Sequence, residues 1–167
     1  MAHPTLGLPP HDVSAGQPAA AARLRANRAR IARLALQATV RDAEGFSERY
    51  DETALRLFLR DFERHVEQLA RALETGEDFY VVSYGEWLVP IYRRRRVPMA
   101  DFMAMLAGLQ VASATVMTPD ENKIGDELFE RWNGTLKWHQ RLPGDHKGNS
   151  LIRFFWKGAG IGDDKWV

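Results

Sequence analysis

A chain of 167 residues, 45% hydrophobic and 27% charged, fits one domain that can bury a core without metal or disulfide staples, outside the compositions of disordered and membrane proteins. Its net charge of +1 implies no nucleic-acid or anionic-lipid partner through the global field, and the lack of cysteine excludes disulfides, thiolate metal sites and cysteine nucleophiles together. No run approaches the ~18 consecutive apolar residues of a membrane span, and Phe79 to Tyr92, the longest candidate, is broken by Glu86 and Pro90. The N-terminus shows no charged segment followed by a long apolar one, so a cytoplasmic protein without membrane insertion is expected.

Residues 1–18 hold four of the eight prolines with Gly7 and Gly16 and no apolar period, which predicts a flexible tail. Ala19 to Arg41 is rich in Ala, Leu and Arg, with six arginines and no acid, and predicts a first, peripheral helix. Leu24, Ile31, Leu34 and Ala38 share one face of it, flanked by Arg23, Arg30 and Arg33. Leu55, Phe58, Phe62, Val66, Leu69 and Leu73 then step by three and four along a second helix, Glu52 to Glu74. Asp51 is its N-cap, Glu52 complements its dipole and Gly76 is its C-cap; at ~1.5 Å per residue it spans the domain as a central mast.

Asp78 is expected to cap a third helix, Phe79 to about Arg95, with Tyr80, Tyr84, Trp87, Leu88 and Ile91 on a common face and a kink or break at Pro90. Phe79 to Val82 has strand propensity, but no second such run exists to pair with it. Pro98 opens a fourth helix to Met117, carrying Met99, Phe102, Leu106, Leu109 and Val116. Thr118-Pro119-Asp120-Glu121 is a capping-box signature for a fifth, with Ile124, Leu128, Trp132, Leu136 and His139 inward and Pro143-Gly144 as its stop. A short sixth helix, Leu151 to Lys157, docks through Phe154, Phe155 and Trp156, and Gly158 to Val167 forms a Gly-rich tail. The fold expected is all-α: a single-domain bundle or globin-like array of five to six helices over residues 19–157, with helices two, four and five as its core.

Reaction chemistry is not visible. No Glu-x-x-His occurs, the five histidines are scattered, and there is no Gly-x-Ser-x-Gly elbow. Gly158 to Gly162 lacks the spacing and lysine of a P-loop, and Asp126, Glu127 and Glu130 read as a solvated face. No catalytic residue, metal or cofactor is assigned. Glu86, between Tyr84 and Trp87, is costly to bury unpaired; a structural ion pair with Arg93 to Arg96, if the chain folds back, is expected, with a ligand contact as the alternative. Arg93, Arg94, Arg95 and Arg96, together with Arg23 and Arg30, form either an ordinary helix C-terminus or a basic patch for nucleic acid. Tyr84, Trp87 and His65, with Met99, Met103, Met105 and Met117 nearby in the pattern, are the candidates for a small-ligand or haem pocket.

Leu55 to Leu73 as a long helix, the turn Arg93 to Val97-Pro98, and Met99-x-x-Phe102-x-x-x-Leu106-x-x-Leu109 after it occur in an order that resembles the N-terminal helical regulatory domain of the RsbR and RsbRD stress-signalling proteins. The resemblance runs from about Leu55 to Trp132 and implies a non-enzymatic helical module that senses an input or docks partners, commonly as a dimer. Those proteins join this domain to an effector; here the sequence reaches Val167 without one, so either the protein is expected to act alone through contacts or its effector is expected on a separate polypeptide. A regulatory or interaction module working by homodimerisation or partner docking is the leading expectation, with nucleic-acid binding and ligand sensing as alternatives.

Overall fold

The computed structural model describes residues 16–142. Seven helices and no strand occur among them: α1 Pro18–Ala26, α2 Arg28–Asp42, α3 Phe46–Arg49, α4 Glu52–Thr75, α5 Phe79–Arg94, α6 Met99–Ala114 and α7 Pro119–Arg141. They pack as one all-α domain. Its axis is α4, whose apolar ridge of Phe58, Phe62, Val66, Leu69 and Leu73 is buried and which touches α1, α2, α5, α6 and α7. Asp51 accepts from Ala54 N–H at one end, and Gly76, at φ 74°, closes the other with its N–H on the Ala72 carbonyl. Both termini follow the expected capping chemistry.

The first expected helix is two. At Asn27 the chain leaves helical geometry, and the Asn27 amide donates from Nδ2 to the Arg23 carbonyl at 2.9 Å. The break lets α1 lie along α4 while α2 turns onto α6, the most extensive helix pair in the fold. Nor is this segment peripheral: Ala20, Ala21, Leu24, Ile31, Ala32 and Ala35 have no exposed surface. Small residues allow the approach, since a Cβ on Gly108 of α6 would sit 2.6 Å from the Ala35 carbonyl oxygen and 2.5 Å from Thr39 Oγ1. The expected tail is anchored at its end, where Gln17 N–H donates to the Leu73 carbonyl. A second addition is α3, a single turn that buries Phe46 against Phe58.

Pro90 does not break α5. It lies on the exposed side, where the Glu86 carbonyl it deprives of a donor faces solvent rather than core. Asp78 occupies the N-cap position without capping, and its carboxylate instead takes Arg131 of α7 at 2.5 Å. The buried face of α5 is also rotated from the expected one: Val81, Gly85, Leu88, Val89 and Tyr92 are buried, and Trp87 is outside. On the fourth expected helix, Ala114 is the last residue, three short of Met117. The capping box of α7 is fully formed, with Thr118 Oγ1 accepting from Glu121 N–H and Glu121 Oε2 accepting from Thr118 N–H. Leu128, Trp132 and Leu136 point inward, whereas Ile124 and His139 are half-buried. The expected sixth helix and Gly-rich tail lie outside the described residues. No helix among the described residues is long and apolar enough to cross a membrane.

Candidate functional site

Helical spacing brings the first candidate cluster together. Asp61 and His65 are one turn apart on α4, and Tyr84 and Tyr92 are two turns apart on α5, so two residues of each helix meet across the α4–α5 contact. His65 has no exposed surface and is ringed by Phe62, Tyr84, Phe102 and Trp132 at centroid distances of 5.6 to 6.0 Å. Its Nδ1 is 3.2 Å from the Tyr84 hydroxyl and its Nε2 3.2 Å from that of Tyr92. Tyr92 donates to Asp61 Oδ2 at 3.1 Å, and Arg95 Nη1 donates to the same oxygen at 2.5 Å.

These contacts fix the tautomer. A phenol has one proton, and Tyr92 gives its own to Asp61, so its oxygen accepts from His65 Nε2–H. Nδ1 is then the bare nitrogen and accepts from the Tyr84 hydroxyl. Hydrogen bonds therefore run one way, from Tyr84 through His65 and Tyr92 to the Asp61 carboxylate, which Arg95 neutralises. Burial pushes His65 down to about 3, helped by the charges of Arg95 and Arg64, so the ring is neutral at pH 7. Burial and the Asp61 charge push both tyrosine hydroxyls up, keeping them protonated.

The structure thus unites His65, Tyr84 and Trp87, the last stacked on Tyr84 at 5.8 Å and 24°. It does so as a packed wall rather than a pocket: a metal or haem at His65 would have to displace a tyrosine, since both ring nitrogens are engaged. Met99 and Met105 are buried in the core, with Met103 and Met117 packed against it. One open cleft of about 250 Å³ lies elsewhere, between Tyr50, Leu57, Phe58, Arg95 and Val97. Among the described residues no three His, Cys, Asp or Glu side chains converge as a metal set.

The four consecutive arginines divide between core and surface. Val97 N–H bonds the Tyr92 carbonyl and Arg96 N–H the Arg93 carbonyl, the paired contacts of a Schellman cap, with Arg96 at φ 59° where glycine is usual. That cap turns Arg95 inward, onto Asp61 and within 5.2 Å of the Phe58 and Tyr92 ring centroids. Arg93 donates from Nη2 to the His139 carbonyl of α7 at 2.9 Å. Arg94 and Arg96 are exposed. Arg23 is bound to Glu121 and to the Val116 carbonyl, and Arg30 is exposed on α2. Because left-handed geometry strains any residue with a Cβ, Arg96→Gly should stabilise the fold by about 0.5–1 kcal/mol in urea unfolding.

Exposed aromatic residues stand on α5 and α7. Asp78 meets Arg131, a Cβ on Gly85 would lie 2.8 Å from the Trp132 indole, and Arg93 meets the His139 carbonyl, so α5 and α7 run side by side and parallel. On this pair Phe79, Trp87 and Trp138 are 63%, 57% and 58% exposed. Leu57 and Val111 are the other exposed large apolar residues among those described. Glu86, next to Trp87, is exposed and makes no ion pair among the described residues, so the expected pairing with the arginine run is absent there.

No protein-family model matches the chain, and no curated protein or solved structure matches it either. Asp61, Tyr92, Trp132 and Trp138 were not singled out as site residues by the sequence. Tyr92 and Asp61 lie eight and four residues from Tyr84 and His65, and that shared helical spacing was the available signal.

Proposed function

We propose that this domain is a non-enzymatic regulatory module that acts by docking protein on the outer face of α5 and α7. The observation that carries this is the exposure of Trp87 and Trp138, each more than half open to solvent, on adjacent parallel helices. Large aromatic side chains are the commonest energetic anchors of protein interfaces, and their exposure on a folded surface is the signal that supports docking. The order of α4, the arginine turn and α6, which resembles the RsbR-type regulatory domains, is consistent with the same role.

Incorporation of a photo-crosslinking phenylalanine analogue at position 87, 138 or 123 tests it in the cells that make the protein. Positions 87 and 138 should yield covalent protein adducts, and the exposed Lys123 position, about four turns from Trp138 near the start of α7, should not. Equal yields from all three, or none from 87 and 138, would overturn the proposal.

A further inference from the structure

We infer that the protein docked on α5 is a second copy of this chain, packed antiparallel across Pro90. This rests on the docking role proposed above and names its occupant. Along the outward side of α5, Phe79, Glu86, Trp87, Pro90 and Arg94 are all exposed. Glu86, Pro90 and Arg94 follow one another at intervals of four, which places them on a single ridge. That ridge carries an acid one turn before the proline and a base one turn after it.

Such an arrangement is complementary to its own reverse. A two-fold axis through Pro90 sets residue 86 of one copy opposite residue 94 of the other, and 94 opposite 86, so one contact forms two identical ion pairs. Glu86 and Arg94 form no ion pair among the described residues, Glu86 acting there only as a charge near His139 of α7, while the neighbouring Arg93 and Arg95 are drawn to α7 and α4. Pro90 at the centre suits the crossing, since it presents a compact, uncharged apolar ring. Trp87, three residues away, adds the aromatic area that an ion pair alone does not supply. Reversed in parallel, the same helices would oppose Glu86 to Glu86 and Arg94 to Arg94, which selects the antiparallel arrangement.

Sedimentation of the full chain at micromolar concentration should show a dimer. Glu86→Arg and Arg94→Glu, each of which creates two like-charge contacts, should weaken dimerisation at least tenfold, and the double variant should restore it. Both positions are exposed, so helicity by circular dichroism should be unchanged in all three. Because the chain contains no cysteine, Pro90→Cys provides an independent readout: a residue on the two-fold axis lies beside its own copy and should form an intermolecular disulfide on mild oxidation, and Glu86→Arg in the same chain should suppress it. A monomeric wild type, a dimer indifferent to both single reversals, or a double variant that stays monomeric would overturn the inference. Adducts from position 87 or 138 to a different protein, with a monomeric chain, would leave the docking role standing and remove the second copy; no adducts from either position would remove both.

Discussion

Lowering the pH from 7 to 5 should destabilise the domain by about 2 kcal/mol, and a further fall to pH 4 should bring the loss to about 3, through His65 alone. Folding places this imidazole among five aromatic rings with no exposed surface, and its folded value near 3 lies well below the ordinary 6.5. The unfolded chain therefore takes up a proton first. The stabilisation from the neutral ring is complete above pH 6.5 and is lost as the pH falls towards 3. Protonation would also put a second N–H on Nδ1, aimed at Tyr84, and a cation near Arg95 and Arg64. Against a typical domain stability of about 5–15 kcal/mol, this is a large share.

Acid loss from carboxylates falls in a different window. Arg23 holds Glu121 below the usual carboxylate range and Arg25 does the same for Glu74, so their contributions decline only below about pH 4.5. His139, lowered by burial and by Arg93, shifts in the same sense as His65 and is removed by His139→Gln as a control. Urea unfolding of His139→Gln at pH 7 and pH 5 should retain most of the difference, whereas His65→Gln should abolish it. An unchanged pH slope in His65→Gln would assign the effect to another group.

Local rules were legible in the sequence, and rules that depend on two helices at once were not. Asp51, Gly76 and the Thr118–Glu121 box form the expected caps because capping involves residues within one turn. The break at Asn27 was invisible because both halves favour helix; only the different partners of α1 and α2 explain it. Trp87 was expected inward because apolar character marks the core on average, yet Gly85 and Val89 let α5 lie closer to α7 and rotate the larger side chain out. The arginine run was read as one charge cluster, whereas a Schellman cap gives its members separate directions. His65 and Tyr84 were named as a pair of candidates, but the residues that complete their hydrogen bonds, Tyr92 and Asp61, needed the α4–α5 crossing to be recognised.

Replacing Asp61 with Ala should cost about 3 kcal/mol, the scale for removing one partner of a buried ion pair. Asp61 is 7% exposed and accepts from both Tyr92 and Arg95. Its loss leaves the Tyr92 hydroxyl without an acceptor in a fully buried position and the Arg95 guanidinium without its counter-charge between two aromatic rings. With nowhere to send its proton, Tyr92 also ceases to dictate which nitrogen of His65 is protonated, so the damage spreads along the chain of hydrogen bonds. Removing both charges behaves differently. Asp61→Leu with Arg95→Met leaves no uncompensated ion and refills the volume, and the pair should cost only about 1 kcal/mol, chiefly for the unpaired Tyr92 hydroxyl. Adding Tyr92→Phe should recover most of that remainder. A double variant as unstable as the sum of Asp61→Leu and Arg95→Met made singly would show that the pair does not act as a unit; strong non-additivity would establish that α4 and α5 are held in register by one connected polar network.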